Sequence, residues 1–558
     1  MNEYAMQHIT ESKYCFAIDS NTVRLRLRVD KNDEPEKVEV VYGGKYTFAL
    51  ERKAVLMRRA YTDRLFAWYT AQIKLDDLRF VYVFKITQNG KVKYFSEDGL
   101  TDIFDFELSY YNCFQYAYLN DCDILKPVEW MRTARFYQIF VERFNIGDKS
   151  EDKSYVNLKW GGIPNPKSFA GGDLKGIIQK LEYIKDVGAD CLYLTPVFKA
   201  ISNHKYDISD YFNVDLMFGD KATLKELIDK AHALGMKVVL DAVFNHCSEY
   251  LPQFQNVLKN GRKSPYCDWF IIKSFEPLDY ECFAACKYMP KFNTGNAEVK
   301  KFLIDIGKYW IEKFDIDGWR LDVSDEVSHE FWREFRKEIK HIKPDCLLLG
   351  ENWHDANVYL HGDEFDGIMN YAFTKACLDF YAFDRFTPEQ FAEKLNGLLM
   401  RNTDTVNLMM LNLLDSHDTD RFITRVGGDK DKLMSALAVM YFFVGAPCLY
   451  YGTEIALEGG YDPDNRRCMD WERANEKTQL KEVIAKLSYL KQNCLKDDII
   501  SIKESGGLVI IERGGAGGLT LAVNGCGRPI RYEAKEQLLS NKYDGHIIED
   551  GGFAVHKT

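Results

Sequence analysis

The sequence predicts a multidomain α/β protein: a (β/α)8 TIM barrel preceded by an N-terminal β-sandwich and followed by a C-terminal antiparallel β domain. Three observations carry this expectation. Residues 20–110 alternate apolar and polar positions in short runs; from Arg135 onward strand-like and helix-like segments take turns; and four apolar runs end in acidic residues. Those runs are VVLDAVFNH (238–246), DGWRLDV (317–323), LLLGENWH (347–354) and LLDSHDTDR (413–421). Period-two alternation marks antiparallel sheets with one wet face, and strand–helix alternation marks parallel strands joined by helical crossovers. Buried strands that run out into polar loops place side chains at the C-terminal face of a barrel.

In chain order, residues 1–122 read as the sandwich, built on TVRLRLRV (22–29), KVEVVYG (37–43) and RFVYVFKI (79–86), with turns at Asn89-Gly90 and Asp98-Gly99. Residues 123–475 read as the barrel. FYQIFVERF (136–144) is its first strand, DLKGIIQKLEYIKDVGAD (173–190) a helix, CLYLTPVF (191–198) a strand, ATLKELIDKAHALGM (222–236) a helix and KVVLDAVF (237–244) the third strand. The alternation then stops. An irregular aromatic-rich excursion with Pro265, Trp269 and Pro290 occupies about 247–298, before the helix VKKFLIDIGKYWIEKF (299–314); so long a departure from regular structure within a domain is usually functional. Residues 476–558 open with the helix TQLKEVIAKLSYLKQN (478–493) and close in the strands GLVIIERG (507–514) and GLTLAVNG (518–525). There is no internal repeat and no low-complexity tract.

Bulk properties exclude several classes. At 558 residues with nearly half of them apolar, the chain supports several cores. A formal charge of −11 offers no basic field for nucleic acid or an anionic membrane. The N-terminal stretch MNEYAMQHITESKY has neither the basic nor the apolar part of a secretory signal, and no stretch is apolar enough to span a bilayer, so a cytoplasmic protein is expected. The fourteen cysteines are scattered without a zinc frame. Cys282 and Cys286, four apart, leave a bridge or a metal open, but free thiols suit a cytosolic chain.

In a barrel, Asp241, Asp322, Glu351 and Asp418 converge on one pocket despite their separation in sequence. Their segments resemble the α-amylase family of glycoside hydrolases, and within it the neopullulanase, cyclomaltodextrinase and maltogenic amylase group. DAVFNH, GWRLDV, GENWH and LLDSHDTDR resemble four family motifs in order; MPKFN (289–293), HKYDISDYFNVDLMFGD (204–220) and YYGTEIALEGGYDPDNRRCMDW (450–471) match the group further. The N-terminal sandwich resembles that group's starch-binding-type module.

The resemblance implies a retaining hydrolase of α-1,4-glucosidic bonds in cyclodextrins, maltooligosaccharides and pullulan, with transglycosylation. Retention needs a carboxylate nucleophile and a carboxylic acid roughly 5 Å apart. Asp322 matches the nucleophile, Glu351 the acid/base and Asp418 a third carboxylate that grips sugar hydroxyls. Arg320, two residues before Asp322, orients and ionises it; His246 and His417 match hydroxyl-binding histidines; Tyr206 matches a tyrosine stacked on the sugar. Asp241 orders the site, Trp353 lines the acceptor side, and Asp462 and Arg466 mark more distant donor subsites. No cofactor is implied for the chemistry. A homodimer is implied, in which the N-terminal module of one subunit covers the active site of the other and favours small glucans.

Two departures matter. Val323-Ser324-Asp325-Glu326 replaces the VANE of many relatives, which leaves linkage preference and the balance of hydrolysis to transfer open. The loop RFNIGDKSEDKS (143–154) matches the group's calcium loop only in part: Ile146 and Glu151 stand where asparagines are expected, while Asp148, Asp152, Gly172 and Asp173 still provide oxygens of the kind calcium takes. An α-glucosidase or glucanotransferase on the same scaffold, and a non-catalytic glucan-binding scaffold, are the alternatives.

Overall fold

The computed structural model describes residues 1–147, 153–495, 499–515 and 517–558. At the N-terminus two antiparallel sheets face each other. One has the order Cys15–Asp19, Thr22–Asp30, Phe66–Lys74, Arg58–Thr62; the other runs Lys53–Leu56, Lys37–Gly44, Phe80–Gln88, Lys91–Ser96, Gly99–Thr101. Alternate residues such as Val23, Leu25 and Leu27 pack against Val38, Val40, Tyr82 and Phe84 from the opposite sheet. Asn89 and Gly90 both take positive φ (52° and 69°), and Gln88 pairs with Lys91 across them. This is the primed hairpin that an Asn-Gly pair favours.

The central sheet has eight parallel strands: Phe136–Ile139, Cys191–Leu194, Lys237–Ala242, Gly318–Leu321, Leu347–Gly350, Gly367–Ile368, Leu411–Leu413 and Ala446–Tyr450. Each pairs with its neighbours in sequence and the first pairs with the eighth. Between the sixth and seventh, a single parallel bridge from Met369 to Leu411 closes the barrel, and the Asn370 amide donates to the Leu411 carbonyl at 2.8 Å. Helices cover the outside, so residues on both strand faces are buried and the strands read as continuous apolar runs.

Two expected elements differ. The helix expected over 173–190 is two short ones, Leu174–Ile178 and Leu181–Asp186. The first is held on the loop at Asn145–Gly147 and the second by the Tyr183 hydroxyl on Glu454 at 2.8 Å, two anchorages that a continuous periodicity cannot reveal. The excursion after the third strand is more regular than expected: it contains the helix Pro252–Asn260, begun by Pro252 in its first turn, and the hairpin Ile272–Phe275/Leu278–Tyr280. Its aromatic residues pack on one another, as where Phe270 stacks on Phe292, and the Phe292 amide donates to the Asn245 carbonyl just after the third strand at 3.0 Å.

The helix Gln479–Cys494 leads into a C-terminal antiparallel sheet, in which Ile500–Ser505, Leu508–Arg513, Leu519–Val523 and Ile547–Lys557 are neighbours in that order. One barrel side chain ties both flanking domains: the Asn396 amide donates to the carbonyls of Thr62 and Ile502, each at 3.0 Å. Arg26 of the sandwich is buried, donates to the Asn402 carbonyl at 2.7 Å and pairs with Asp404. All fourteen cysteines are free thiols, Cys282 and Cys286 among them.

Candidate active site

The fourth strand ends in the residues around which the site is built. Arg320 is fully buried, and its Nη1 contacts Asp322 Oδ1 at 2.7 Å and Asp241 Oδ1 at 3.0 Å, while Nη2 contacts Glu351 Oε2 at 2.8 Å. The third, fourth and fifth strands therefore each deliver one carboxylate to a single guanidinium, whose planar fork suits that task. Beyond Asp322 the chain turns sharply: Val323 sits in the left-handed region at φ 45°, unusual for a β-branched residue. That turn aims the Val323 amide at Glu351 Oε2, 3.0 Å away. Strain of this kind is stored where it positions a functional group.

Asp241 lies behind the cavity wall. Besides Arg320, its Oδ2 accepts from the hydroxyls of Tyr193 at 2.9 Å and Tyr206 at 3.0 Å. Tyr206 also approaches His417 Nε2, and the two rings are parallel within 3° at 5.5 Å. Because the single proton of Tyr206 is given to Asp241, the hydrogen at this contact belongs to His417 Nε2. The other ring nitrogen, Nδ1, then accepts from Gln138 Nε2, 2.7 Å away. His417 Nε2 is also 3.0 Å from Asp418 Oδ2, and Asp418 Oδ1 lies 3.4 Å from Arg466, which pairs with Asp462 at 2.9 Å.

The resulting cleft has a volume of about 900 Å3. Tyr206, His246, Asp322, Glu351, Trp353, Asp418, Asp462 and Arg466 all face it, whereas Arg320, Asp241 and His417 support them from behind. Two atoms of residues that line it, His246 Nε2 and Asp322 Oδ2, are buried without a hydrogen-bond partner among the described residues. Trp353 stacks face to face on Tyr371 at 3.7 Å, and Phe283 from the excursion stacks on His246 at 4.8 Å. Paired carboxyls, unpartnered polar atoms and aromatic faces in one cleft are what binding and cleaving a pyranoside requires.

The chain matches the family model described as alpha amylase, catalytic domain, over residues 138–493, and the alpha amylase N-terminal Ig-like domain over residues 1–120. The chain belongs to the α-amylase family. It is 42% identical over 502 residues to a cyclomaltodextrinase of Geobacillus thermopakistaniensis (strain MAS1), covering 88% of this chain and 85% of that one. It is 41% identical to a maltogenic alpha-amylase of Bacillus acidopullulyticus, covering 87% and 84%, and 40% identical to neopullulanase 2 of Thermoactinomyces vulgaris, also covering 87% and 84%. A solved cyclomaltodextrinase structure superposes with a TM-score of 0.91 at 34% identity, with both chains fully covered.

The electrostatics of this α-amylase-family site are divided. Burial raises the carboxyls of both Asp322 and Glu351, and Arg320 opposes the rise in each case without cancelling it. The two interact closely enough to titrate as a pair, so a proton is retained above the usual carboxylate range. Asp418 goes the other way. Its burial is outweighed by His417, Arg466 and Arg320 together, which pull it below that range. Burial, helped by Lys291 and His204, pulls His246 down to about 3 and keeps it neutral.

Gln138, Tyr193, Tyr371 and Phe283 belong to this site but were not singled out from the sequence. Gln138 alone had a signal, as the one amide within the apolar run FYQIF. Of the residues expected at a calcium loop, Asp148 and Asp152 lie outside the described residues. The Gly172 amide donates to the Glu142 carbonyl at 3.0 Å. Asp173 caps the helix Leu174–Ile178, accepting from the amides of Gly176 at 2.6 Å and Gly147 at 3.0 Å, and it binds Lys153 Nζ at 2.5 Å.

Proposed function

We propose that this α-amylase-family glycosidase cleaves the α-1,4 bonds of cyclodextrins and short maltooligosaccharides, and those of pullulan, with retention of configuration and some transfer to sugar acceptors. The observation that carries the reading is the guanidinium of Arg320 shared between Asp322 and Glu351. Asp322 attacks the anomeric carbon to form a glycosyl-enzyme while Glu351, holding the pair's proton, protonates the leaving oxygen; Glu351 then deprotonates the water or sugar that releases the glycosyl group. Asp322 lines the cleft with one carboxylate oxygen left unpartnered, consistent with attack, and the raised carboxyl of Glu351 is consistent with an acid. Asp418, held ionised and oriented from behind by His417 Nε2, grips hydroxyls of the distorted sugar, His246 Nε2 binds another, and Tyr206 supplies a stacking face. Trp353 lines the acceptor side, and Asp462 with Arg466 bounds the donor side. No cofactor takes part.

Small substrates are favoured because a second copy covers the cleft with its N-terminal module. That module exposes the large side chains of Tyr46, Leu50, Ile103, Tyr110 and Tyr111, which are available to such a partner. The proposed location is the cytoplasm: a relative in Bacillus subtilis, 40% identical, is named intracellular maltogenic amylase. Initial rates and products on β-cyclodextrin, maltohexaose, pullulan and soluble starch test the reading. Faster turnover of cyclodextrin than starch, with maltose and glucose as products, supports it. A clear preference for starch refutes the covered cleft, and a product released with inverted anomeric configuration refutes the mechanism.

A further inference from the structure

We propose that the ammonium of Lys153 is the built-in cation of the turn at residues 171–173, in place of a bound calcium ion, so that folding is independent of calcium. Lys153 Nζ lies 2.5 Å from Asp173 Oδ2 and 2.8 Å from the Gly171 carbonyl, which gives it one charged and one neutral hard oxygen. Asp173 is one of the residues expected to offer calcium an oxygen, and Gly171 adjoins Gly172, another. The other Asp173 oxygen is already used by the amides of Gly147 and Gly176. The donor set suits an ammonium, which has three N–H groups and wants acceptors at hydrogen-bond distance, better than calcium, which takes six to eight oxygens at roughly 2.3–2.6 Å. Ile146, where an asparagine is expected, contributes no side-chain oxygen.

The lysine is also packed in place. Its side chain is 14% exposed, and a Cβ added to Gly171, which has φ 89°, would lie 3.4 Å from Lys153 Cδ and 2.8 Å from Val156 Cγ2. The aliphatic stem thus runs along a glycine whose conformation and lack of side chain make room for it. The anchored turn carries Asp173, which caps the helix leading to the second barrel strand, and Gly172, whose amide is bonded to Glu142. A cation attached to the chain holds this joint at any calcium concentration, and its charge repels a divalent ion from the same oxygens.

Thermal unfolding of the full chain in excess EDTA and in millimolar calcium chloride tests this. The wild-type melting temperature is expected to agree within about 1 °C in the two conditions, and titration calorimetry with calcium alone to give no saturable heat at this loop. Lys153→Met, which keeps the stem and removes the charge, is expected to melt several degrees lower, and Lys153→Asn, which supplies an oxygen, to regain part of that loss only when calcium is added. A wild-type melting temperature that falls in EDTA overturns the proposal, as does a Lys153→Met protein that melts with wild type. If Lys153→Met does not fold, Lys153→Arg decides. It keeps the charge and is expected to melt near wild type in EDTA, and a calcium requirement in that variant refutes the inference.

Discussion

The fourth barrel strand carries an aspartate at each end, and the two have opposite surroundings. At the N-terminal end Asp317 is buried among excess donors: Lys237 at 2.8 Å, His232 at 2.7 Å, Lys343 at 3.2 Å and the Val238 amide at 3.0 Å. Burial works to raise its carboxyl, but His232, Lys237 and Lys343 outweigh it and hold the group well below the carboxylate range. Five residues later Asp322 shares one guanidinium with Asp241 and Glu351, and burial leaves it raised. The oversupplied end keeps its charge and ties helices and strands together; the undersupplied end keeps reactive groups short of partners. The two faces of a barrel separate chemistry from stability in this way.

The largest effect expected from breaking the upper end is on rate. Asp322→Asn, and separately Glu351→Gln, are expected to lower kcat for maltohexaose by about 10^4-fold or more, while the fold is retained; a loss under tenfold in either would dismiss the assigned pair. Azide is expected to restore part of the rate in Asp322→Asn as an external nucleophile, giving a glycosyl azide of inverted configuration, whereas rescue of Glu351→Gln gives one of retained configuration.

Breaking the lower end is expected to act on stability alone. Asp317→Asn leaves the partly exposed Lys237, His232 and Lys343 short of a counter-charge and should cost roughly 2 kcal/mol in urea unfolding, with kcat near wild type. The pH dependence gives the sign. A carboxyl depressed in the folded state adds stability that is complete above its unfolded value, about 3.9, and is lost as pH falls through the lower folded value. The Asp317→Asn deficit should therefore be largest at neutral pH and close as pH falls below about 4. Asp322 and Glu351, being raised, cost stability at neutral pH and less in acid. Asn or Gln there should be neutral or stabilising at pH 7, with the gain shrinking as pH drops. Curves moving together at the two ends would refute the contrast.

Gln138 sharpens the comparison, because it acts on the upper end through a tautomer. Gln138→Met removes the donor to His417 Nδ1 and is expected to cost roughly tenfold in kcat, about one hydrogen bond. Gln138→Glu substitutes an acceptor, draws a hydrogen to Nδ1 and should cost more, and 15N spectra of the imidazole would follow the change without reference to activity. Equal, near-wild-type rates in both variants would remove Gln138 from the mechanism. The smallest effect belongs to Trp353→Ala, expected to raise KM several-fold with kcat little changed, as loss of one stacking face from the rim.

The parts legible in the sequence share a physical origin. Asp322, Glu351, Asp418 and Arg320 are charged groups at the ends of apolar runs, where burial is costly unless something requires it, so they stood out. Tyr193 and Tyr371 did not, because aromatic residues in apolar runs serve equally well as core. Phe283 came from the excursion, whose composition hid a helix and a hairpin. The break near Gln179 in the helix expected over 173–190 arises from contacts with residues far away in sequence, Glu454 among them. DGWRLDV displays both Asp317 and Asp322, but only the placement of His232, Lys237 and Lys343 distinguishes their tasks.

The barrel is joined at its sixth strand by two residues and one bridge, Met369 to Leu411. Met369 also places its Sδ 3.4 Å from Arg320 Nε. The thinnest stave therefore backs the residue on which both reacting carboxyls depend. Fluctuations that part this seam would loosen the guanidinium before they disturb any other wall of the cleft, so heat or denaturant should silence the enzyme while most of its structure still stands.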